Sequence, residues 1–135
     1  ITIKFDPNAK KIYGVNHLDL RNHAYVTEGA IDSLFLPNAV ALAGTDGSLD
    51  GVFTGKNQFT LVLDNQPRNA EVVSKYAKYI AQGCSICLWP DNIRSKDINQ
   101  MVLDGIAAQD VVSIVRDNTY TGVQASIRFS KWKKV

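Results

Sequence analysis

Four carboxylates in this chain stand just beyond runs of strand-forming residues. Glu28 follows Tyr25-Val26-Thr27, Asp64 follows the apolar run Phe59 to Leu63, and Asp91 and Asp97 follow Ser85 to Trp89. In an open sheet of parallel strands the carboxyl ends share one edge, and ligands collect outside it. Acids far apart in sequence then converge. Carboxylate oxygens at that density suit a hard cation such as Mg²⁺ or Mn²⁺, held by one or two carboxylates with water and phosphate oxygens in the other positions. Each acid also has a purely structural reading, because an acid at a strand end often caps the next helix. Asp97, with Gln100 three residues on, has the spacing of a capping box. Glu is a poor cap, which weakens that account of Glu28. Asn65 and Gln66 stand closer than Asp64 to a helix opening at Pro67.

Basic residues fall near these acids. Arg68 lies beside Asp64 at an expected helix N-terminus, a place suited to phosphate, with a solvated face as the alternative. Lys96, next to Asp97, suits either a phosphate contact or a salt bridge. Lys131, Lys133 and Lys134 around Trp132 either hold single-stranded DNA by charge and stacking or form a solvated tail with Trp132 packed on the core. Cys84 and Cys87 have the spacing of a zinc or redox pair. A separation of three on a strand points side chains to opposite faces, so the core is the expected place for both. His17 and His23 have no partners at ligand spacing.

The elements that must position these groups follow from periodicity. Ile1 to Gly14 reads as a β-hairpin about Asp6-Pro7-Asn8. Short strands are expected at Ala24 to Thr27, Ala39 to Leu42, Phe59 to Leu63 and Ser85 to Trp89, with a helical run at Ile31 to Leu36 and a loop at Gly44 to Gly47. Pro67 to Gln82 is the clearest helix. Val72, Val73, Tyr76, Tyr79 and Ile80 form its apolar stripe, Glu71, Lys75 and Lys78 face out, and Gly83 ends it. Asp97 to Leu103 is a shorter helix stopped by Gly105. In the tail, Val123 to Phe129 alternates like a strand, yet Ala125, Phe129 and Trp132 keep helical spacing, and helix is preferred. Alternation of strand and helix predicts an α/β domain with a mainly parallel sheet.

Composition sets the outer limits. The chain has 135 residues, 45% of them hydrophobic and 21% charged, which suits one soluble domain. Its net charge of 15 − 13 = +2 is no nucleic-acid signature by itself. Two cysteines and a single Met are expected of a cytoplasmic protein. No apolar run approaches the roughly 18 residues of a membrane span. The first residue is Ile1, which predicts an excerpt of a longer protein.

The motifs resemble a known family. Tyr25-Val26-Thr27-Glu28-Gly29-Ala30-Ile31-Asp32-Ser33-Leu34 is similar to the first motif of TOPRIM domains, a Glu-Gly turn before a helix containing an Asp. Asn38 to Thr45 resembles the small-residue second strand of primase TOPRIM domains. Leu61-Val62-Leu63-Asp64-Asn65-Gln66 stands where that family has Asp-x-Asp, and Leu88 to Asp91 with Lys96 to Val102 resembles a later acid-bearing loop and helix. Asp64 to Asn69, Trp89-Pro90, Lys96 to Asn99 and Ser130 to Lys134 are most like the primases of T-even-type bacteriophages.

The resemblance implies a TOPRIM-type (Rossmann-like) α/β fold with helices flanking the sheet. It divides the chain into a hairpin and lead-in at 1–22, a catalytic core at 23–108 and a packed extension at 109–135. It implies the C-terminal catalytic portion of a DNA primase that uses Mg²⁺ or Mn²⁺, ribonucleoside triphosphates and a single-stranded DNA template beside a replicative helicase, with no membrane partner. Glu28 and Asp64 are then the central acids, with Glu28 as base or ligand and Asp64 as ligand. Asp97 is a further ligand or water anchor, and Arg68, Lys96, Lys131 and Lys133 contact nucleotide or DNA. One departure stands out. Gln66 replaces the second acid of Asp-x-Asp, and its amide oxygen binds metal without charge, so weaker metal binding is expected, with Asp91 or Asp97 compensating. The rival readings are a TOPRIM nuclease or topoisomerase-type domain, and a non-catalytic module that binds nucleic acid or a helicase. A dinucleotide-binding domain is excluded, because no Gly-x-Gly-x-x-Gly follows the first strand.

Overall fold

The structure, a computed structural model, describes residues 12–42, 49 and 52–135. Most of the expected hairpin and all of the loop at 44–47 lie outside the described residues. Tyr13 is described, and it makes an isolated antiparallel bridge to Ala41.

Five strands form one sheet: β1 (Ala24–Thr27), β2 (Ala39–Ala41), β3 (Phe59–Val62), β4 (Ser85–Cys87) and β5 (Thr119–Tyr120). Their order is β2-β1-β3-β4-β5, with the first four parallel and β5 antiparallel to β4. The fold is therefore the α/β class expected, consistent with a Rossmann-like TOPRIM arrangement. Every residue of β1 and β3 is buried, the mark of strands covered on both faces. The covering helices are α1 (Ala30–Ser33), α2 (Ala70–Ala81), α3 (Ile98–Leu103), α4 (Ala108–Asp117) and α5 (Gly122–Trp132). Among these, α2 packs with α5, while α1 and α4 both meet α3.

Helix α2 buries Val72, Val73, Tyr76 and Tyr79 as its periodicity predicts, but it opens at Ala70 rather than Pro67. The reason is Asn69. Its carboxamide oxygen accepts from the Glu71 and Val72 amides at 3.0 and 3.2 Å, and neither Asn65 nor Gln66 is needed as a cap. Gly83, with φ of 84°, supplies the left-handed residue after α2. The Gly83 amide donates to Ile80 and that of Cys84 to Tyr79, which satisfies two terminal carbonyls.

The tail is helical. In α5, Ala125 and Trp132 are buried, and the Trp132 ring stacks on Tyr76 with centroids 4.1 Å apart. Two elements were not anticipated from periodicity. Helix α4 buries Val111 and Val115, four residues apart, and β5 is only two residues long. Cys84 and Cys87 are both buried and free of a disulfide, and burial pushes the Cys87 thiol up, away from reactivity. The exposed His23 bonds Thr60 through Nε2 at 2.8 Å. Among the described residues no helix is long and apolar enough to cross a membrane.

Candidate metal centre at the carboxyl edge of the sheet

The chain leaves β1 for β2 on one side and returns to β3 on the other. Strand order reverses between β1 and β3, and the crevice of such a sheet opens there. Glu28 immediately follows β1 and Asp64 lies just past β3. The Asp64 amide donates to Glu28 Oε1 at 3.2 Å. On its other oxygen Glu28 meets Lys75 of α2 at 3.6 Å, so Lys75 turns toward the site rather than outward.

Asp32 comes to the same place from α1, and Asp97 from the N-cap of α3. Asp32, Asp64 and Asp97 each offer an oxygen within 4.8 Å of the others. The first turn of α3 fixes two of them: the Asn99 amide donates to Asp32 Oδ1 at 2.9 Å, and the Gln100 amide to Asp97 Oδ1 at 2.8 Å. Asp97 thus caps its helix with one oxygen and keeps the other. Only half of a capping box forms, because the Gln100 side chain turns forward to Asp104. A Cβ at Gly29 would lie 3.3 Å from Asp32 Oδ2, so a side chain there would press on the Asp32 carboxylate. The buried Thr27 hydroxyl donates to the Gly29 carbonyl at 2.8 Å and closes the turn.

Burial and the neighbouring charges of Glu28, Asp32 and Asp97 push the Asp64 carboxyl up to about 7, with Lys75 opposing. Asp32 is also raised, chiefly by burial, and its bond from Asn99 opposes the rise. Acids that resist ionising together are relieved by a cation. The all-oxygen donor set fits a hard divalent ion.

Asn65 ties the two sides of this edge together and is itself buried. Its amide nitrogen Nδ2 donates to the Ile93 and Ser95 carbonyls at 2.8 and 3.2 Å, and its backbone amide donates to Lys96 at 2.6 Å. Its Oδ1 accepts from the Trp132 indole at 2.9 Å. The strand end carrying Asp64 is thereby fastened to the loop carrying Asp97. Two further donors hold β3: the Trp89 indole reaches the Leu63 carbonyl at 2.9 Å and the Tyr76 hydroxyl the Asp64 carbonyl at 2.8 Å.

Asp91 is not one of the three clustered acids. Gln66, Arg68 and Asp91 line a cleft of about 710 Å³ together with Asn65, Arg94 and Lys134. Asp91 is exposed. Lys96 has an exposed side chain, and its charge opposes the upward shift of Asp32. Lys131 borders a smaller cavity of about 190 Å³, and Lys133 Nζ sits 5.4 Å from the centre of the Phe129 ring. Trp132 is buried against Tyr76, so its ring face is closed to a stacking base. Asp32, Asn65 and Lys75 are the residues that reading by strand ends passed over. A signal for Asp32 was present in the Glu-Gly turn followed by a helix containing an Asp.

No protein-family model matches the chain. Over its whole length the chain is 36% identical, across 138 aligned positions, to the DNA primase of Enterobacteria phage T4. It spans 40% of that protein's length. The similarity supports a primase-related domain.

Proposed function

We propose that this chain carries the nucleotidyl-transfer centre of a DNA primase, in a TOPRIM domain that uses Mg²⁺ or Mn²⁺. The observation that carries this reading is the meeting of Asp32, Asp64 and Asp97 beside Glu28 at the strand-order switch. Asp32, Asp64 and Asp97 are the ligands. When bound, a divalent cation neutralises triphosphate charge and supports in-line attack by a hydroxyl. Glu28, tethered between the Asp64 amide and Lys75, stands at the edge of the triad to accept the proton of that hydroxyl. Lys75 balances part of the charge that remains when substrate is absent. Asp32 and Asp97 supply the carboxylates that Gln66 does not.

The substrates are ribonucleoside triphosphates on a single-stranded DNA template, beside a replicative helicase in the cytoplasm of an infected host cell. Arg68, Lys96, Lys131 and Lys133 are proposed to contact nucleotide or DNA. Residues 23–108 form the catalytic core in this reading, and 109–135 an extension that seats Trp132 on α2.

Primer synthesis by the intact protein with its helicase, single-stranded DNA and ribonucleotides tests the proposal. Glu28→Gln and Asp64→Asn are each expected to lower the rate about 100-fold or more. Normal rates in both variants would refute it.

A further inference from the structure

We infer that the cleft beside the acidic edge grips the phosphodiester backbone of a single nucleic-acid strand, without regard to base sequence. The identity of the strand rests on the function proposed above; the charge and shape of the cleft do not.

The cleft begins at Asn65, one residue after Asp64, and its volume of about 710 Å³ exceeds that of a bound water cluster or a lone ion. Three cations face it: Arg68, Arg94 and Lys134, all exposed. Among the described residues the ion pairs are Arg21 with Asp19 and Lys75 with Glu28, so no carboxylate neutralises these three. Asp91 is the one acid in the lining. The rim is held in place, because the Lys134 backbone amide donates to the Pro67 carbonyl at 2.8 Å.

The smaller cavity shares Trp89, Pro90, Asp91 and Trp132 with this cleft and adds Arg128 and Lys131. Together the two hold five cations and one carboxylate, a net +4. The whole chain nets only +2, so everything else sums to −2. Cations on both sides of a shared wall suit successive phosphates of a strand better than the phosphates of one nucleotide.

The aromatic residues argue for backbone recognition over base recognition. Trp89 and Trp132 are buried, and their indole N–H groups are committed to Leu63 and Asn65. The half-buried Tyr120 of the smaller cavity has Arg128 over its ring, 5.0 Å from the centre, so the usual aromatic contribution to single-strand binding is reduced. What remains is charge, and arginine forks are well shaped for phosphate.

The test is fluorescence anisotropy of a labelled single-stranded oligodeoxythymidylate of about 12 nucleotides, titrated with the 135-residue chain in EDTA. Three phosphate contacts predict a slope of about −2 for log affinity against log salt. Affinity should therefore fall roughly 20-fold between about 50 and 200 mM salt. The combined Arg68→Ala, Arg94→Ala and Lys134→Ala variant should bind at least tenfold more weakly at low salt, with the slope flattened. Arg21→Ala, Lys78→Ala and Arg116→Ala together remove the same charge from outside both cavities and should cost less than threefold. Oligodeoxyadenylate should bind within about threefold of the thymidylate. Equal losses in the two triple variants would overturn the inference, since net charge alone would then explain binding. Displacement of the strand by an equal concentration of a nucleoside triphosphate would also overturn it, in favour of a single-nucleotide pocket. So would the absence of strand binding by the unchanged chain. Because EDTA removes divalent ions, failure of the metal centre leaves this assay untouched, and failure of the cleft leaves metal binding untouched.

Discussion

At the residue scale the account turns on Asp64. A carboxyl lifted from 3.8 to about 7 by burial and by three neighbouring acids destabilises the metal-free fold whenever it is ionised. The sign follows from linkage. Its folded pKa lies above its unfolded one, so the folded chain holds this proton more tightly. The associated stability is complete below the unfolded value, declines as pH rises toward about 7, and is gone above it. Asp64→Asn removes the ionising group while keeping its shape. In EDTA the variant should therefore melt above the unchanged chain at about pH 8, and the gap should shrink as pH is lowered toward 4. A variant that melts at or below the unchanged chain throughout that range would contradict the assignment. The site is thus built against the stability of the empty fold, as expected where function requires like charges to be held together.

At the element scale, short pieces of structure are made definite by a few buried hydrogen bonds. The six residues of α3 carry too few internal bonds to position anything alone, yet the amides of its second and third residues hold Asp32 and Asp97. Asn65 joins β3 to the 93–97 loop and to α5. Asn65→Ala strands the buried Trp132 indole and two half-buried carbonyls, and should cost about 3 kcal/mol in urea unfolding. It should also weaken Mn²⁺ binding at least tenfold, because the loop bearing Asp97 is released. Trp132→Phe keeps a ring against Tyr76 while losing the indole bond and part of the buried ring. It should cost about 1–2 kcal/mol and leave Mn²⁺ affinity unchanged. Matched affinity losses in the two variants would show that Asn65 acts only through general stability.

The same bonds explain what could be read in advance. The strands β1 to β4 and the amphipathic α2 follow from local pattern, and so does the end of α2 at Gly83. The start of α2 was misplaced because Pro67 fits a first helical position by type, whereas Asn69 wins by capping two amides. Helix α4 has a readable stripe in Val111, Val112, Ile114 and Val115, but it carries no strand-end acid and so drew no attention, and two-residue β5 exists because β4 presents an edge to it. Lys75 reads as a solvent-facing residue until α2 is laid beside the Glu28 turn.

At the scale of the whole molecule, topology does the gathering. Strand order β2-β1-β3-β4 places the ends of β1 and β3 side by side, and acids from separate segments meet there. This much was legible from strand-end acids alone, for Glu28, Asp64 and Asp97. Asp91 also follows a strand, but it stands four residues past the end of β4 and lines the cleft with Arg94 and Lys134 instead. The near-neutral total conceals this division between an acidic edge and a basic cleft. It also explains why net charge gave no hint of either.

The most direct test of the central claim is a Mn²⁺ titration of the isolated chain at about pH 8, followed by the electron paramagnetic resonance signal of the free ion. The account predicts binding that weakens at least tenfold in Asp64→Asn and in Asp97→Asn, which retains a capping side chain, and that is unchanged in Asp91→Asn. Undiminished binding in Asp64→Asn, or an equal loss in Asp91→Asn, would contradict it.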